Sequence, residues 1–168
     1  MWLDVFETPN PPFSQALVEQ VERILGVRLP LSYVNLMRER NGGYLEPRLL
    51  RVGVTLPEKF KGYISHGHLG VASIAGLNTA PDTSGSLTQS SYMIDEWDLP
   101  CGLVLLDGDG HTWIALDYRE TNEAPAVVFV LAGQSECLKL ADNFGEFLQK
   151  LVRYEDVYDF DGNLRNQY

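Results

Sequence analysis

The sequence predicts an α+β fold, a mainly antiparallel sheet with N-terminal helices and a C-terminal helix packed on it. Three observations carry this. Apolar residues recur at helical spacing in two stretches before residue 43 and again near residue 144. Between them, an apolar run, a turn-rich tetrapeptide and an alternating segment follow one another over residues 103–118, the pattern of a β-hairpin. The order helix, helix, strands, helix also lacks the strand–helix alternation of parallel α/β proteins.

The elements follow in order. Residues 1–12, ending in Pro9-Asn-Pro-Pro12, read as an extended lead-in, because paired prolines favour polyproline geometry. Ser14 is placed to cap a helix, with Phe13 and Val18 at the two positions of a hydrophobic staple. Leu17, Val21, Ile24 and Leu25 mark its buried face and Gly26 its stop. A second helix starts at Pro30, with Tyr33, Leu36 and Met37 as its apolar stripe, and ends at Asn41-Gly-Gly43. Extended pieces follow near Leu49–Leu56, then a glycine-rich stretch over Gly62–Gly76. Asn78–Ser91 is small and polar and reads as a long surface loop. Tyr92–Trp97 fits either a helix or a strand. Leu103–Leu106 and His111–Tyr118 form the hairpin, and Pro125 opens a third strand over Ala126–Leu131, where a proline is tolerated at the first position. Phe144, Phe147, Leu148 and Leu151 define the last helix. Residues 153–168 read as an acidic, partly ordered tail. No repeat and no linker divides the chain, so residues 1–168 are expected to form one domain.

Charge narrows the function classes. The net charge is -10, and it is uneven. Residues 1–61 carry 8 basic and 7 acidic side chains, whereas residues 62–168 carry 5 and 16. Between Gly62 and Leu138 the only basic residue is Arg119, against ten carboxylates. Such a field repels nucleic acid and anionic lipid, whose recognition depends on Lys and Arg, and attracts basic proteins. The same acid also serves solubility. No stretch approaches the roughly 18 apolar residues of a spanning helix. The first residues lack the basic and apolar regions of a secretory signal. Cys101 and Cys137 have no metal-motif spacing and read as free thiols, so a cytoplasmic protein is expected.

The chemistry-bearing motifs are few. His66-Gly-His68 with His111 is a conceivable ligand set, to which Asp107 and Asp109 would add oxygens, but no closely spaced metal motif accompanies it. Asp107-Gly-Asp-Gly110 resembles the start of a calcium loop, yet the twelfth position is Tyr118 where a bidentate Glu is needed. It reads instead as the hairpin turn. No phosphate-binding glycine loop and no G-x-S-x-G elbow occur, and the loop serines lack an activating histidine. Trp97, inside Asp95-Glu-Trp-Asp98, and Trp113, sharing a strand face with His111 and Asp117, have two readings. They are core residues, or they are aromatic anchors among carboxylates that suit a basic protein partner.

Ile24-Leu-Gly-Val-Arg-Leu-Pro30, Tyr33 and Asn41-Gly-Gly43 come first, followed by Gly108-Asp-Gly-His-Thr-Trp-Ile-Ala-Leu-Asp-Tyr-Arg119, Pro125–Phe129 and Phe144-Gly-Glu-Phe-Leu148. In that order they resemble the SUKH superfamily, the Smi/Knr-like proteins, over residues 13–152. The resemblance implies helices on a mainly antiparallel sheet, no catalysis and no cofactor. It implies a protein partner: bacterial members are mostly immunity proteins that neutralise toxin domains, often nucleases, and fungal relatives are regulatory scaffolds. It assigns no binding residue. The expectation is therefore an immunity protein whose partner is a basic toxin domain. Asp95, Glu96, Asp98, Asp107, Asp109 and Asp117 would supply charge, and Trp97 and Trp113 apolar contact. A scaffold for an endogenous protein and a small metal-dependent hydrolase are the alternatives.

Overall fold

A computed structural model describes residues 1–4, 10–53, 55–80 and 82–165. Its first helix, α1 (Gln15–Leu25), is set by its two ends. The Ser14 hydroxyl accepts the Leu17 N–H, and Gly26 closes the last turn in the left-handed region. Leu17, Val18 and Val21 are buried beneath it. Helix α2 (Leu31–Glu39) follows Pro30, which stands one position before the first helical residue. On this helix Tyr33 is fully buried, packs edge-on to Phe144, and donates its hydroxyl hydrogen to the Ala75 carbonyl at 2.6 Å. Burial, together with the nearby Tyr118, pushes its pKa well above the ordinary phenol value.

Two antiparallel sheets carry the rest. The three-stranded sheet has the order β2 (His68–Ile74), β1 (Gly43–Arg51), β7 (Leu151–Arg153). In the four-stranded sheet β3 (Leu103–Gly108), β4 (Thr112–Asp117), β5 (Ala126–Leu131) and β6 (Cys137–Ala141) lie side by side in chain order. Strand β1 shifts register between Tyr44 and Arg48, across Pro47, which has no N–H to give the ladder. The first residues pair there: Leu3 N–H donates to Tyr44 and Glu46 N–H to Met1. The lead-in expected over 1–12 thus begins against β1, while residues 5–9 of it lie outside the described residues.

Alternation along the strands of the four-stranded sheet feeds two cores. Val104, Leu106, Ile114, Leu116, Val127 and Phe129 face the main one, shared with α1, α2 and α4 (Phe144–Gln149). Leu103, Leu105, Trp113, Ala115, Val128 and Val130 face the other way, into a smaller core covered by Ile94 and Leu99. Both faces of this sheet are therefore buried, which is why β3 and β5 read as nearly continuous apolar runs. Leu49, Val157 and Tyr158 make a third, minor cluster.

Several expectations are refined. The hairpin and Ala126–Leu131 stand as read. Strand β1 begins at Gly43 and ends at Arg51, earlier than the extended piece expected near Leu49–Leu56. The polar segment before residue 91 is a loop only in part. Leu87 is fully buried, and a 3-10 turn at Leu87–Gln89 runs into helix α3 (Ser90–Glu96), which settles Tyr92–Glu96 as helical and leaves Trp97 as its C-cap. Its buried polar side chains are satisfied mostly by main-chain groups, with one Ser86–Thr88 hydroxyl pair. Thr88 Oγ1 donates to the Asn78 carbonyl, Ser90 Oγ to that of Leu87, and Ser90 Oγ accepts the Leu105 N–H. Helix α4 stops at Gln149, two residues before Leu151, because Leu151 enters β7 and pairs with Leu50. The tail is ordered to residue 165. It forms α5 (Tyr154–Val157) and a bridge between Tyr158 and Leu164, and residues 166–168 lie outside the described residues.

Candidate functional site

Helix α3 ends against the β3–β4 turn. The Trp97 N–H bonds the Met93 carbonyl as the last helical bond, and the Leu99 N–H reaches back to the Ile94 carbonyl, the long 6→1 bond of a Schellman-type close. Asp98 lies between them at φ 50°, a left-handed position that usually goes to glycine. The turn drops Leu99 onto Ile94 in the smaller core and leaves Asp95, Glu96 and Asp98 in solvent.

Each residue of Asp107-Gly-Asp-Gly110 has a separate task. Asp109 Oδ1 accepts the N–H groups of His111 at 2.9 Å and Thr112 at 2.7 Å, fixing the turn. Partial burial acts to raise the Asp109 pKa, but these bonds, the Thr112 hydroxyl and His111 outweigh it, so its carboxyl titrates below the ordinary range. Gly108 lies flat under the Trp113 ring: a Cβ there would meet ring carbon Cε3 at 2.0 Å. Gly110 touches Trp97, whose ring also meets His111 edge-on at 6.1 Å. Asp107 reaches sideways to β2, where Oδ2 accepts the Ala72 N–H at 2.8 Å and Oδ1 the Ser73 hydroxyl at 2.5 Å.

The sequence-derived residues thus divide. Asp95, Glu96, Trp97, Asp98, Asp107, Asp109 and Trp113 gather where α3 meets the hairpin turn. Trp97 is half-buried and caps this end, and its carbonyl accepts the Gly133 N–H from the β5–β6 turn. Trp113 is 8 % exposed and belongs to the smaller core, so only its surroundings reach the surface. Its indole N–H has no acceptor among the described residues. Asp117 stands apart. It lies at the far end of β4, about 16 Å along the strand from Thr112, and its carboxylate is forked by Arg119, Nε at 2.8 Å and Nη2 at 2.6 Å. That bond, working against partial burial, holds its pKa below the usual carboxylate value.

The histidines do not converge. His66 sits in the tight turn before β2 and His68 opens that strand; His66 Nδ1 is 3.2 Å from the Tyr158 hydroxyl, whereas His111 sits beside Trp97. Among the described residues no three His, Cys, Asp or Glu side chains are grouped to hold a metal ion. Cys101 is exposed and Cys137 partly buried, and neither is in a disulfide. Burial pushes the Cys137 thiol pKa up, against the pull of Arg119. No helix among the described residues is long and apolar enough to cross a membrane.

Sequence reading missed a cleft beside this acidic end. The main-chain link between the two sheets runs from the Ala75 N–H to the Leu106 carbonyl at 2.7 Å. β3 bulges in its pairing with β4 between Leu105 and Asp107, and Asp107 is the next tie from β3 to β2. A cavity of about 410 Å³ opens there, lined by β2, β3, the segment around Gly85 and the start of α3. Nothing local in the sequence pairs Ala72 with Asp107, so only the assembled sheets show it.

Among known families, the one described as SMI1/KNR4 (SUKH-1) has a family model that matches residues 12–150. No curated protein matches the sequence.

Proposed function

The chain belongs to the SMI1/KNR4 family (SUKH-1), and from that membership we propose that it is a cytoplasmic, non-catalytic immunity protein. It binds a basic toxin domain, of the nuclease kind, and blocks it by occlusion. The observation that carries the charged-face part of this reading is the gathering of Asp95, Glu96, Asp98 and Asp109 around Trp97. It lies in a stretch with ten carboxylates and one basic residue between Gly62 and Leu138.

Asp98 supports the reading independently. A non-glycine residue at φ 50° is strained, and such strain persists where the side chain has a use. Here it keeps one more carboxylate on the rim. Exposed charge of this kind chiefly speeds association, and the half-buried Trp97 slows release. Asp117 contributes less than the other acids, because Arg119 already neutralises it.

The reading predicts a toxin gene adjacent to this one, and a neighbourhood with no such gene counts against it. The test is co-expression with the toxin domain of that neighbour, followed by titration of the purified pair. Growth is rescued by the native chain. Reversal of Asp95, Glu96, Asp98 and Asp109 to lysine lowers the association rate by at least about 10-fold and steepens the loss at low salt. Unchanged rate and affinity after all four reversals would sink the acidic-face mechanism, and failure of the native chain to bind or rescue would sink the immunity reading itself.

A further inference from the structure

We propose that the cleft between β2, β3 and α3 receives one arginine side chain of the protein partner, with its guanidinium on Asp107. The proposal rests on the reading above that this end of the molecule meets a protein. Its evidence is the cleft itself.

Asp107 is the one carboxylate among the residues lining the cavity, and no Lys, Arg or His is among them. The carboxylate is already oriented, because each oxygen accepts one hydrogen bond from β2. A carboxylate offers about four acceptor positions, so a second bond to each oxygen remains open. Two parallel oxygens so held match the planar fork of a guanidinium, and little ordering entropy is lost on binding. The walls, formed by Met93, Leu105 and Trp113, suit an aliphatic stem, and Gln89 adds an amide. The volume of about 410 Å³ lies near the lower end of the roughly 300–1,000 Å³ of pockets that enclose whole drug-sized molecules. It takes a single long side chain rather than a folded element. An anion has no cationic partner among these lining residues.

The probe is the tripeptide acetyl-Gly-Arg-Gly-amide, titrated into the 15N-labelled full chain, with the neutral citrulline analogue as control. The arginine peptide shifts the Ala72 and Ser73 amides and the Trp113 indole N–H, and the citrulline peptide binds at least about 10-fold more weakly, the loss of one charge-assisted pair. Asp107→Asn lowers affinity by a similar factor. Because Asp107 also braces β2, Ser84→Arg is made in parallel. It leaves the brace intact and places a competing cation at the mouth, and it abolishes the shifts. Equal binding of the two peptides, shifts confined to the α3 acids, no binding of either, or an unaffected Ser84→Arg protein would each overturn the proposal. The titration needs no toxin, so it separates from the reading above. Arginine bound in the cleft of a chain that neutralises nothing leaves this site standing and removes the immunity role.

Discussion

Two Asx-Gly segments turn the chain beside the two sheets and use the same residue types to opposite ends. At Asn41–Gly43 the amide of Asn41 is buried. Its Nδ2 donates to the carbonyls of Pro11 at 2.6 Å and Leu77 at 2.9 Å, and its Oδ1 accepts the Leu77 N–H at 2.6 Å. The backbone beside it touches Gly76 so closely that a Cβ on Gly76 would lie 2.5 Å from the Asn41 carbonyl oxygen. At Asp107–Gly110 the carboxylates stay at the margin, Asp109 exposed and bonding the turn, Asp107 half-buried in the cleft and bonding the β2 edge. An amide can be buried in full hydrogen bonding without charge, whereas a carboxylate taken out of water costs far more. The choice of Asn in one segment and Asp in the other follows where each lies, in the core and at the rim.

The comparison can be broken at graded cost. Gly76→Ala should be the most damaging, since the methyl meets the Asn41 main chain, which cannot swing aside, as well as the Asn10 amide. We expect loss of more than about 4 kcal/mol, seen as failure to give a cooperative thermal transition. Asn41→Ala strands the Leu77 N–H and two carbonyls and costs about 2–4 kcal/mol by denaturant unfolding. Gly108→Ala pushes on the Trp113 ring and costs about 1–3 kcal/mol, with a change in tryptophan emission.

The rim gives smaller effects. Asp109→Ala costs about 1 kcal/mol near neutral pH, as for other lost side-chain caps. The sign of its pH dependence follows from a folded pKa below the unfolded one. The advantage over Asp109→Asn is fully present above the unfolded value of about 4 and shrinks as pH falls through the folded value. Urea midpoints measured between pH 7 and pH 3 read this directly. Asp98→Gly moves the other way. It relieves the left-handed strain and raises stability by up to about 1 kcal/mol, while weakening partner binding. A protein less stable than the native chain would contradict the strain argument.

Much of the fold was legible because local signals agreed with the tertiary result. Ser14 and Gly26 bound α1 as their chemistry demands, and the hairpin alternation separates the two cores residue by residue. What was missed depends on partners far away in the chain. Strand β6 has only Leu138, Leu140 and Ala141 buried and carries an exposed Lys139, so it resembles a polar connection until it pairs with β5. Leu151 keeps the helical spacing of Phe144 and Phe147 although it belongs to a strand, because it packs against the main core from there too. The polar stretch before residue 91 conceals a buried network in which serine and threonine hydroxyls bond mostly main-chain groups, with one Ser86–Thr88 pair. At the site, composition identified the acids and both tryptophans. It did not separate Asp117, whose neutralisation by Arg119 two residues on is a matter of geometry. Nor did it reveal the cleft, which exists only where residues of the two sheets come together.

The pairing of β7 with β1 has a consequence for how the chain is made. Arg48, Leu49 and Leu50 in β1 take as partners Arg153, Val152 and Leu151, about a hundred residues later. The four-stranded sheet, by contrast, is built from neighbours in sequence order. During synthesis that meander and its hairpin can assemble as they emerge, while β1 waits with one edge bare until residues 151–153, about a hundred positions later, have left the ribosome. For that interval Leu49 and Leu50 sit on an unprotected edge, the kind of surface that chaperones hold and that neighbouring nascent chains can capture.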